Sequence, residues 1–241
     1  MVDRRPGVLF DFDGTLVDTF GGIVEGVQRM RARLEAGPLP FGEAKRHIGW
    51  GIKNLVGQCH PRLDALRPDE LPADGSPLPL EEALLQETVE LFRAEYQQCQ
   101  MHETHAYEGI PDLCGELAGN GVALAVVSNK PERFVRHIMA VLGLADPFAL
   151  VVGGDSLPTL KPHPAPLLHV VDTLGIDRRR CAMVGDSDLD IRAAQAAQLP
   201  AIAVGWGIQP PEQLRQVRPT HLVETTGALR EGLRSVLGLS I

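Results

Sequence analysis

From Gly109 to the end of the chain, apolar segments rich in valine alternate with segments of helical spacing. The apolar segments are VALAVVSN, FALVVGG, CAMVGD, AIAVGW and HLVE, and between them lie helical patterns such as PERFVRHIMAVLG, APLLHVVDTLG and DLDIRAAQAAQ. Strands that are apolar throughout and alternate with helices are typical of a parallel sheet covered on both faces. Ligands of such sheets bind beyond the carboxyl ends of the strands, which is where a functional site is expected.

The stretch from Thr19 to about His105 departs from this alternation. It contains no convincing strand, and its patterns GGIVEGVQRMRARLE, FGEAKRHIGWGIKNLVGQ and EEALLQETVELFRAEYQQ are helical. Gly49 and Gly51 predict a bend between helices, and the Pro-rich PRLDALRPDELPADGSPLP predicts a loop. We therefore predict a core formed by residues 1–18 and 106–241, with residues 19–105 as a helical insertion after the first strand.

Composition limits the kinds of partner. The 241 residues are 44% hydrophobic, which is ample for a folded core, and the net charge of −8 without a densely basic stretch disfavours nucleic acid and anionic membranes. The four cysteines form no CxxC pair, and no apolar stretch has the length of a signal peptide core or a membrane span. We expect a soluble cytoplasmic protein, and the sequence leaves its oligomeric state open.

Two acids follow the first strand, GVLF, in the segment LFDFDGTLVDTF. Asp11 and Asp13 would share a face in extended geometry, and Gly14 permits a sharp turn after them. Two carboxylates this close repel, so their burial would shift one toward the neutral form unless a cation binds between them. Taken alone, this segment is equally compatible with an exposed Asp-rich turn.

The later strands also end in polar groups. Ser128 ends one strand, Lys161 lies in the loop after FALVVGG, and GDSDLD places Asp186, Asp188 and Asp190 after another. Individually these residues could be a turn serine, a solvated lysine and a helix N-cap. Because the carboxyl ends of parallel strands meet at one edge, a hydroxyl, an amine and two acidic clusters at consecutive ends predict an active site.

These motifs resemble a known family. DFDGTLVD, SNK, KPHP and GDSDLD, in that order, are similar to the four motifs of the haloacid dehalogenase superfamily. DGTLVDT, AYEGIPDLCGELAGNGVALAVVSNKP and KPHPAPLL more closely resemble phosphoglycolate-phosphatase-like members. The resemblance covers the full length and implies an α/β fold, with a Rossmann-like parallel sheet core and an inserted, mobile helical cap. Retention of Asp13 implies phosphoryl transfer from an oxygen leaving group.

The resemblance implies four catalytic residues. Asp11 would attack phosphorus to form an aspartyl-phosphate, and Asp13 would protonate the leaving alkoxide and then take a proton from water. Ser128 and Lys161 would hold the phosphoryl oxygens and stabilise the charge of the transition state.

The resemblance also implies a Mg²⁺ cofactor. Its protein ligands would be Asp11, the backbone carbonyl of Asp13, and Asp186, because Mg²⁺ prefers oxygen ligands and keeps several waters. Asp190 is expected to lie behind these ligands, where it would orient a metal-bound water or Lys161. Asp188 is interpreted as a helix-start residue rather than a ligand.

Substrate contacts are expected from Gly14, Thr15 and Asn129 in the motifs. Within the cap, Lys53 is the predicted cation for a substrate carboxylate, with Arg46 as second choice. The alternative is that both are ordinary solvated charges.

The sequence thus predicts a phosphomonoesterase for a small phosphorylated metabolite, phosphoglycolate first. Sugar-phosphate or pyrophosphate hydrolysis and a phosphomutase are the alternatives within the same superfamily. A binding module that has lost catalysis is a further alternative. It is disfavoured because Asp11, Asp13, Lys161 and Asp186 are all present.

Overall fold

The structure of the protein is a computed structural model that describes residues 5–64 and 80–239. The chain forms two compact units. The first contains Met1–Asp18 and His105–Ile241, and the second contains Thr19–Thr104. We call them the core unit and the helical unit. The sequence prediction had placed the second boundary one residue later, after residue 105.

The elements follow in chain order. The core unit begins with β1 (Arg5–Phe10) and β2 (Val17–Asp18). The helical unit contains α1 (Phe20–Arg33), α2 (Phe41–Lys45), α3 (Ile52–Gln58), a short 3₁₀ helix (Pro61–Leu63) and α4 (Glu82–Cys99). The core unit resumes with β3 (His105–Ala106), α5 (Ile110–Gly119), β4 (Ala123–Val127), α6 (Glu132–Val141), β5 (Phe148–Val152), α7 (Ala165–Leu174), β6 (Ile176–Gly185), α8 (Asp188–Ala196), β7 (Ala201–Val204), α9 (Pro211–Gln216), β8 (His221–Val223) and α10 (Thr226–Leu237).

The core unit is built on a six-stranded sheet in the order β5-β4-β1-β6-β7-β8. All its pairings are parallel, and Leu9 of β1 lies opposite Ala125 of β4 on one side and Met183 of β6 on the other. The predicted α/β fold is therefore confirmed. Because β1 lies between β4 and β6, the residues that follow these three strands meet at one edge of the sheet.

The sheet is covered by apolar helix faces. Leu9 and Met183 belong to a buried cluster with Leu167 and Val170 of α7 and Ile191 of α8. Strands apolar on both faces can pair only where both faces are covered, which explains the uninterrupted valine-rich segments of the sequence.

The helical unit follows the predicted patterns, with the bend at Trp50. Gly49 and Gly51 adopt φ values of 104° and 88°, which side chains rarely allow, and α3 begins directly after them. The predicted Pro-rich loop over residues 61–79 lies mostly outside the described residues, and its first three residues form the 3₁₀ helix. None of the helices in the described ranges is long and apolar enough to span a membrane.

Two features depart from the sequence prediction. The region around His105 contains a strand, because β3 pairs antiparallel with β2, Val17 opposite Ala106 and Asp18 opposite His105. The strand read as CAMVGD begins earlier, at Ile176, which lies opposite Arg5 of β1, and after a register shift the pairing continues from Cys181 opposite Gly7. Each departure comes from backbone pairing, which leaves little pattern in the side chains.

Candidate active site

Asp11 lies at the carboxyl end of β1, in the middle of the sheet. Its backbone N–H donates to Val184 of β6 at 2.9 Å, which continues the strand pairing and fixes the carboxylate at the edge. Nζ of Lys161 lies 2.9 Å from Oδ1 of Asp11, within ion-pair distance but without the alignment of a hydrogen bond. In the described part of the chain, Oδ1 is thus a buried oxygen that accepts no hydrogen bond.

The electrostatics of Asp11 follow from its burial. Burial raises the pKa of Asp11 to about 6, the positive charge of Lys161 opposes the rise, and the negative charge of Asp190 adds to it. Oδ1 of Asp11 thus loses water on burial and, among the described residues, has only the nearby charge of Lys161 to compensate. This oxygen is therefore available to a cation or to an electrophile.

A tight turn after β1 carries Asp13 and Thr15. Gly14 has a φ of 82°, its N–H donates to the carbonyl of Val17 at 2.8 Å, and the N–H of Val17 donates back to Phe12 at 3.1 Å. The turn directs the Asp13 carboxylate toward β4, where Nζ of Lys130 donates to Oδ1 at 2.9 Å. Sequence reasoning did not select Lys130, although it belongs to the same SNK motif as Ser128.

The segment after β4 positions two further groups. Ser128 is buried, and its N–H donates to Val152 of β5 at 2.9 Å. The side-chain amide of Asn129 makes two hydrogen bonds with the backbone of Lys161, donating to its carbonyl and accepting from its N–H, both at 2.9 Å. Asn129, predicted to contact substrate, is therefore engaged in fixing the loop that carries Lys161.

Lys161 is the cation at the centre of this edge. Its Nζ lies 2.9 Å from Asp11 and 2.6 Å from Asp190. Burial by itself lowers the pKa of Lys161, but the attraction of Asp11 and Asp190 outweighs it, and the pKa lies above its ordinary value. Lys161 thus stays charged while buried.

Asp190 is fully engaged by protein groups. Its Oδ1 accepts from Lys161, and its Oδ2 accepts from the N–H and the hydroxyl of Ser187 in a capping box at the start of α8. Of the two roles predicted for Asp190, this geometry corresponds to orienting Lys161. Asp188 begins α8 and pairs with Arg192, while Ser187 is the N-cap.

Asp186 follows β6 and is almost fully buried. Its Oδ2 accepts from the N–H of Ile208 at 2.7 Å, and its Oδ1 lies 3.4 Å from the hydroxyl of Thr15. Burial raises its pKa well above the ordinary value, and the negative charges of Asp11 and Asp190 raise it further. Gly207 lies against it so closely that a Cβ there would be 2.2 Å from the Asp186 side chain.

The donor set fits a hard divalent cation. Carboxylate oxygens of Asp11, Asp186 and Asp190 lie within 4.8 Å of one another. Three buried acids facing one lysine leave an excess of negative charge that a cation would compensate, and oxygen-only donors suit Mg²⁺. Asp190 is committed to the Lys161 ammonium and to two donors of Ser187. By contrast, within the described residues each oxygen of Asp186 accepts a single hydrogen bond and Oδ1 of Asp11 accepts none. Asp11 and Asp186 are therefore the carboxylates that would hold the cation.

Two aromatic side chains of the core unit lie beside these acids and were not selected from the sequence. The Trp206 indole N–H donates to the carbonyl of Thr15 at 3.3 Å, and its ring lies 6.1 Å from that of Tyr107. Burial, and then the charges of nearby acids including Asp186, raise the pKa of Tyr107 above its ordinary value. Tyr107 therefore remains a neutral phenol.

Lys53 and the second choice, Arg46, at the end of α2, are the predicted site residues that belong to the helical unit. Lys53 lies in α3, its side chain is 57% exposed, and its Nζ pairs with Glu82 at 2.8 Å. The remaining predicted residues all lie in the core unit, after β1, β4, β5 or β6.

Comparison with known families shows to which class of protein this fold and this edge of acids belong. Residues 8–204 match the model of the haloacid dehalogenase-like hydrolases. The chain belongs to this family, and the resemblance drawn from its motifs is confirmed.

Relatives and solved structures cover nearly the whole chain. A phosphoglycolate phosphatase of Chromobacterium violaceum is 40% identical over 200 residues, which are 83% of this chain and 85% of the relative. One of Psychrobacter arcticus is 34% identical over 222 residues, covering 92% of this chain and 93% of the relative. A crystal structure from Lactobacillus delbrueckii subsp. bulgaricus, assigned as a phosphoglycolate phosphatase, is 27% identical with a TM-score of 0.83, and covers 95% of this chain and 98% of its own.

Proposed function

We propose that this phosphatase hydrolyses phosphoglycolate, through an aspartyl-phosphate formed on Asp11 and with Mg²⁺ bound beside it. The observation that carries the proposal is the buried Oδ1 of Asp11, which lies next to a charged lysine and accepts no hydrogen bond within the described residues. The choice of phosphoglycolate is supported by relatives of that name at 34% and 40% identity.

In the first step an oxygen of Asp11 forms a bond to phosphorus while the bond from phosphorus to the ester oxygen breaks. The strand end holds this carboxylate in place, and Nζ of Lys161 lies 2.9 Å from its Oδ1 without the alignment of a hydrogen bond, which leaves the carboxylate able to attack. Asp190 holds Nζ of Lys161 at 2.6 Å, so that the lysine stays directed at Asp11 and at the phosphoryl oxygens that Asp11 would receive.

Asp13 is the proposed acid and base. It protonates the leaving ester oxygen in the first step. In the second it accepts a proton from water, whose oxygen bonds to phosphorus while the bond from phosphorus to Asp11 breaks, so that inorganic phosphate leaves and both residues are restored. Such assistance is typically worth ~10²–10⁴ in rate. The Gly14 turn supports this role because it places Asp13 beyond the strand end, two residues from the nucleophile.

The remaining groups bind the phosphoryl oxygens and the metal. Ser128 is the proposed hydroxyl donor, with Gly14 and Thr15 of the turn as further contacts. Asn129 acts by holding the backbone of Lys161. Mg²⁺, held by Asp11 and Asp186 with the Asp13 carbonyl, would neutralise charge on the phosphoryl group.

The carboxylate of phosphoglycolate also needs a cation to bind it. Lys53 stays a proposed contact, although its exposure and its pairing with Glu82 would weaken an interaction with an anion. Replacing Lys53 with alanine should then lower kcat/KM for phosphoglycolate more than for an uncharged ester. The cytoplasmic location of the enzyme also stays a prediction.

The test is a kinetic panel on the purified full chain. Phosphoglycolate, sugar phosphates, pyrophosphate and p-nitrophenyl phosphate are compared by kcat/KM, with Mg²⁺ and after chelation with EDTA. We expect phosphoglycolate to rank first and chelation to stop turnover. A higher rank for a sugar phosphate or pyrophosphate, or a phosphate moved within the substrate instead of released, would replace the assignment with one of the sister activities.

A further inference from the structure

Lys130 is a buried cation that the catalytic steps above do not use. Its Nζ donates to Oδ1 of Asp13 at 2.9 Å, and only 5% of its side chain is exposed. Its carbonyl accepts from Gly154 at 2.8 Å, and its N–H lies 3.3 Å from the Ser128 hydroxyl. The backbone of Lys130 is therefore fixed between two strand ends, and its contact with Asp13 fixes the position of the charged Nζ.

That position is on the leaving-group side of the site. Lys161 contacts Asp11 and Asp190, where the phosphoryl group is transferred. Asp13 must come within hydrogen-bond distance of the ester oxygen to protonate it. A cation in contact with Asp13 is therefore close to whatever the ester oxygen carries.

In phosphoglycolate the ester oxygen carries a carboxylate, separated from it by a single methylene. Binding therefore brings a second carboxylate close to that of Asp13, and two such groups repel unless a cation lies between them. An ammonium group has three N–H donors and can bind two carboxylates at once. In a buried setting such charge-assisted bonds are stronger than at an exposed lysine.

We propose that Lys130 binds the carboxylate of the substrate's leaving group and makes the enzyme selective for phosphate esters of a 2-hydroxy acid. This rests on the proposed function and adds to it the residue that recognises the substrate. It differs from the prediction for Lys53, which lies in the helical unit and is mostly exposed.

The experiment compares phosphoglycolate with its amide, in which a neutral carboxamide replaces the carboxylate at nearly the same size. The ratio of the two kcat/KM values is measured for the wild type, Lys130→Met, Lys130→Arg and Lys53→Met. We expect Lys130→Met to lower the ratio by about ten- to hundredfold, because a charge-assisted bond is lost for one substrate only. Lys130→Arg should retain part of the ratio, and Lys53→Met should lower it far less than Lys130→Met does, because Lys53 is mostly exposed and already paired with Glu82.

Each alternative has its own outcome. Equal losses on both substrates in Lys130→Met would mean that Lys130 only orients Asp13, and a fall confined to Lys53→Met would assign recognition to the helical unit. Where Lys130→Met gives too little folded protein, Lys130→Gln replaces it, and failure of both to fold would show a purely structural lysine. Each of these overturns the proposal but leaves phosphoglycolate as substrate, whereas a wild type without preference for the carboxylate overturns the proposed function as well.

Discussion

At the scale of single residues, the site depends on the buried carboxylate of Asp11. Burial and then other acids raise its pKa, and its Oδ1 accepts no hydrogen bond within the described residues. Asp11→Asn keeps the shape of the side chain but removes the nucleophilic charge. We expect turnover to vanish while the metal-free protein keeps its melting temperature, because repulsion with Asp186 and Asp190 is relieved. Phosphate release and thermal unfolding measure the two effects, and substantial Mg²⁺-dependent turnover in the variant would exclude the covalent mechanism.

The proposed role of Asp13 differs from that of Asp11 because the loss of Asp13 should affect the rate to an extent that depends on the leaving group of the substrate. Asp13→Asn should slow alkyl phosphates such as phosphoglycolate by ~10²–10⁴ and p-nitrophenyl phosphate far less, since nitrophenolate needs little protonation. Steady-state kinetics on both substrates provide the measurement. Should both slow by the same factor, Asp13 would act only through its metal-binding carbonyl or its contact with Lys130.

The sequence identified these acids because a strand pattern ended directly before them. Asp11 and Asp186 each follow an apolar run, and parallel topology brings such ends together. Lys130 was missed because a lysine after a strand is normally solvated, and only the turn at Gly14 brings Asp13 within reach of it. The order of residues along one strand gives no information about a contact between Asp13 and Lys130, which are 117 positions apart in the chain.

At the scale of elements, the loop after β7 fixes the predicted metal ligand Asp186. Gly207→Ala would place a Cβ 2.2 Å from the Asp186 side chain, so either the loop or the carboxylate must move. Relieving such an overlap costs about 1–3 kcal/mol, and we expect the Mg²⁺ concentration for half activity to rise about tenfold or more. Mg²⁺ titration of activity measures the shift.

The matched control is another glycine-to-alanine change, in α5. A Cβ on Gly115 would meet nothing within 4 Å, and an alanine inside a helix stabilises by about 0.5–1 kcal/mol. Gly115→Ala should leave the Mg²⁺ dependence unchanged and raise the melting temperature slightly. If both variants titrate like the wild type, Gly207 does not position the ligand.

The elements that the sequence predicted are those with a side-chain pattern. The strands of the sheet are apolar on both faces, and α1 and α4 repeat apolar residues at helical spacing. The pair β2 and β3 has two residues in each strand, too few for any alternation, and the short α9 has a single buried residue, Leu214. Their formation is decided by neighbouring backbone rather than by local sequence.

At the scale of the whole molecule, the short pair β2 and β3 joins the two ends of an 86-residue insertion. Residues 19–104 leave and re-enter the core unit next to each other, because Asp18 lies opposite His105. An insertion whose ends are close leaves the fold of its host intact, so the sheet can assemble the site from residues on both sides of it. Asp11 comes from before the insertion, and Ser128, Lys161 and Asp186 come from after it.

We expect the same site to make the stability of the whole protein depend on pH and on Mg²⁺. The folded pKa of Asp11 is raised from its ordinary 3.8 to about 6, and that of Asp186 is raised in the same direction, so the metal-free protein should lose stability as pH rises through this window. The proposed Mg²⁺ would bind the ionised carboxylates and should restore about 2.7 kcal/mol when present at about 100 times its Kd. A fixed Mg²⁺ concentration should therefore raise the melting temperature more at pH 8 than at pH 5, where protons compete for the same oxygens.

Asp186→Asn should abolish this difference, whereas Asp188→Asn, which alters an acid paired with Arg192, should retain it. An equal rise at both pH values, or an unchanged response in Asp186→Asn, would show that Mg²⁺ does not bind at these acids.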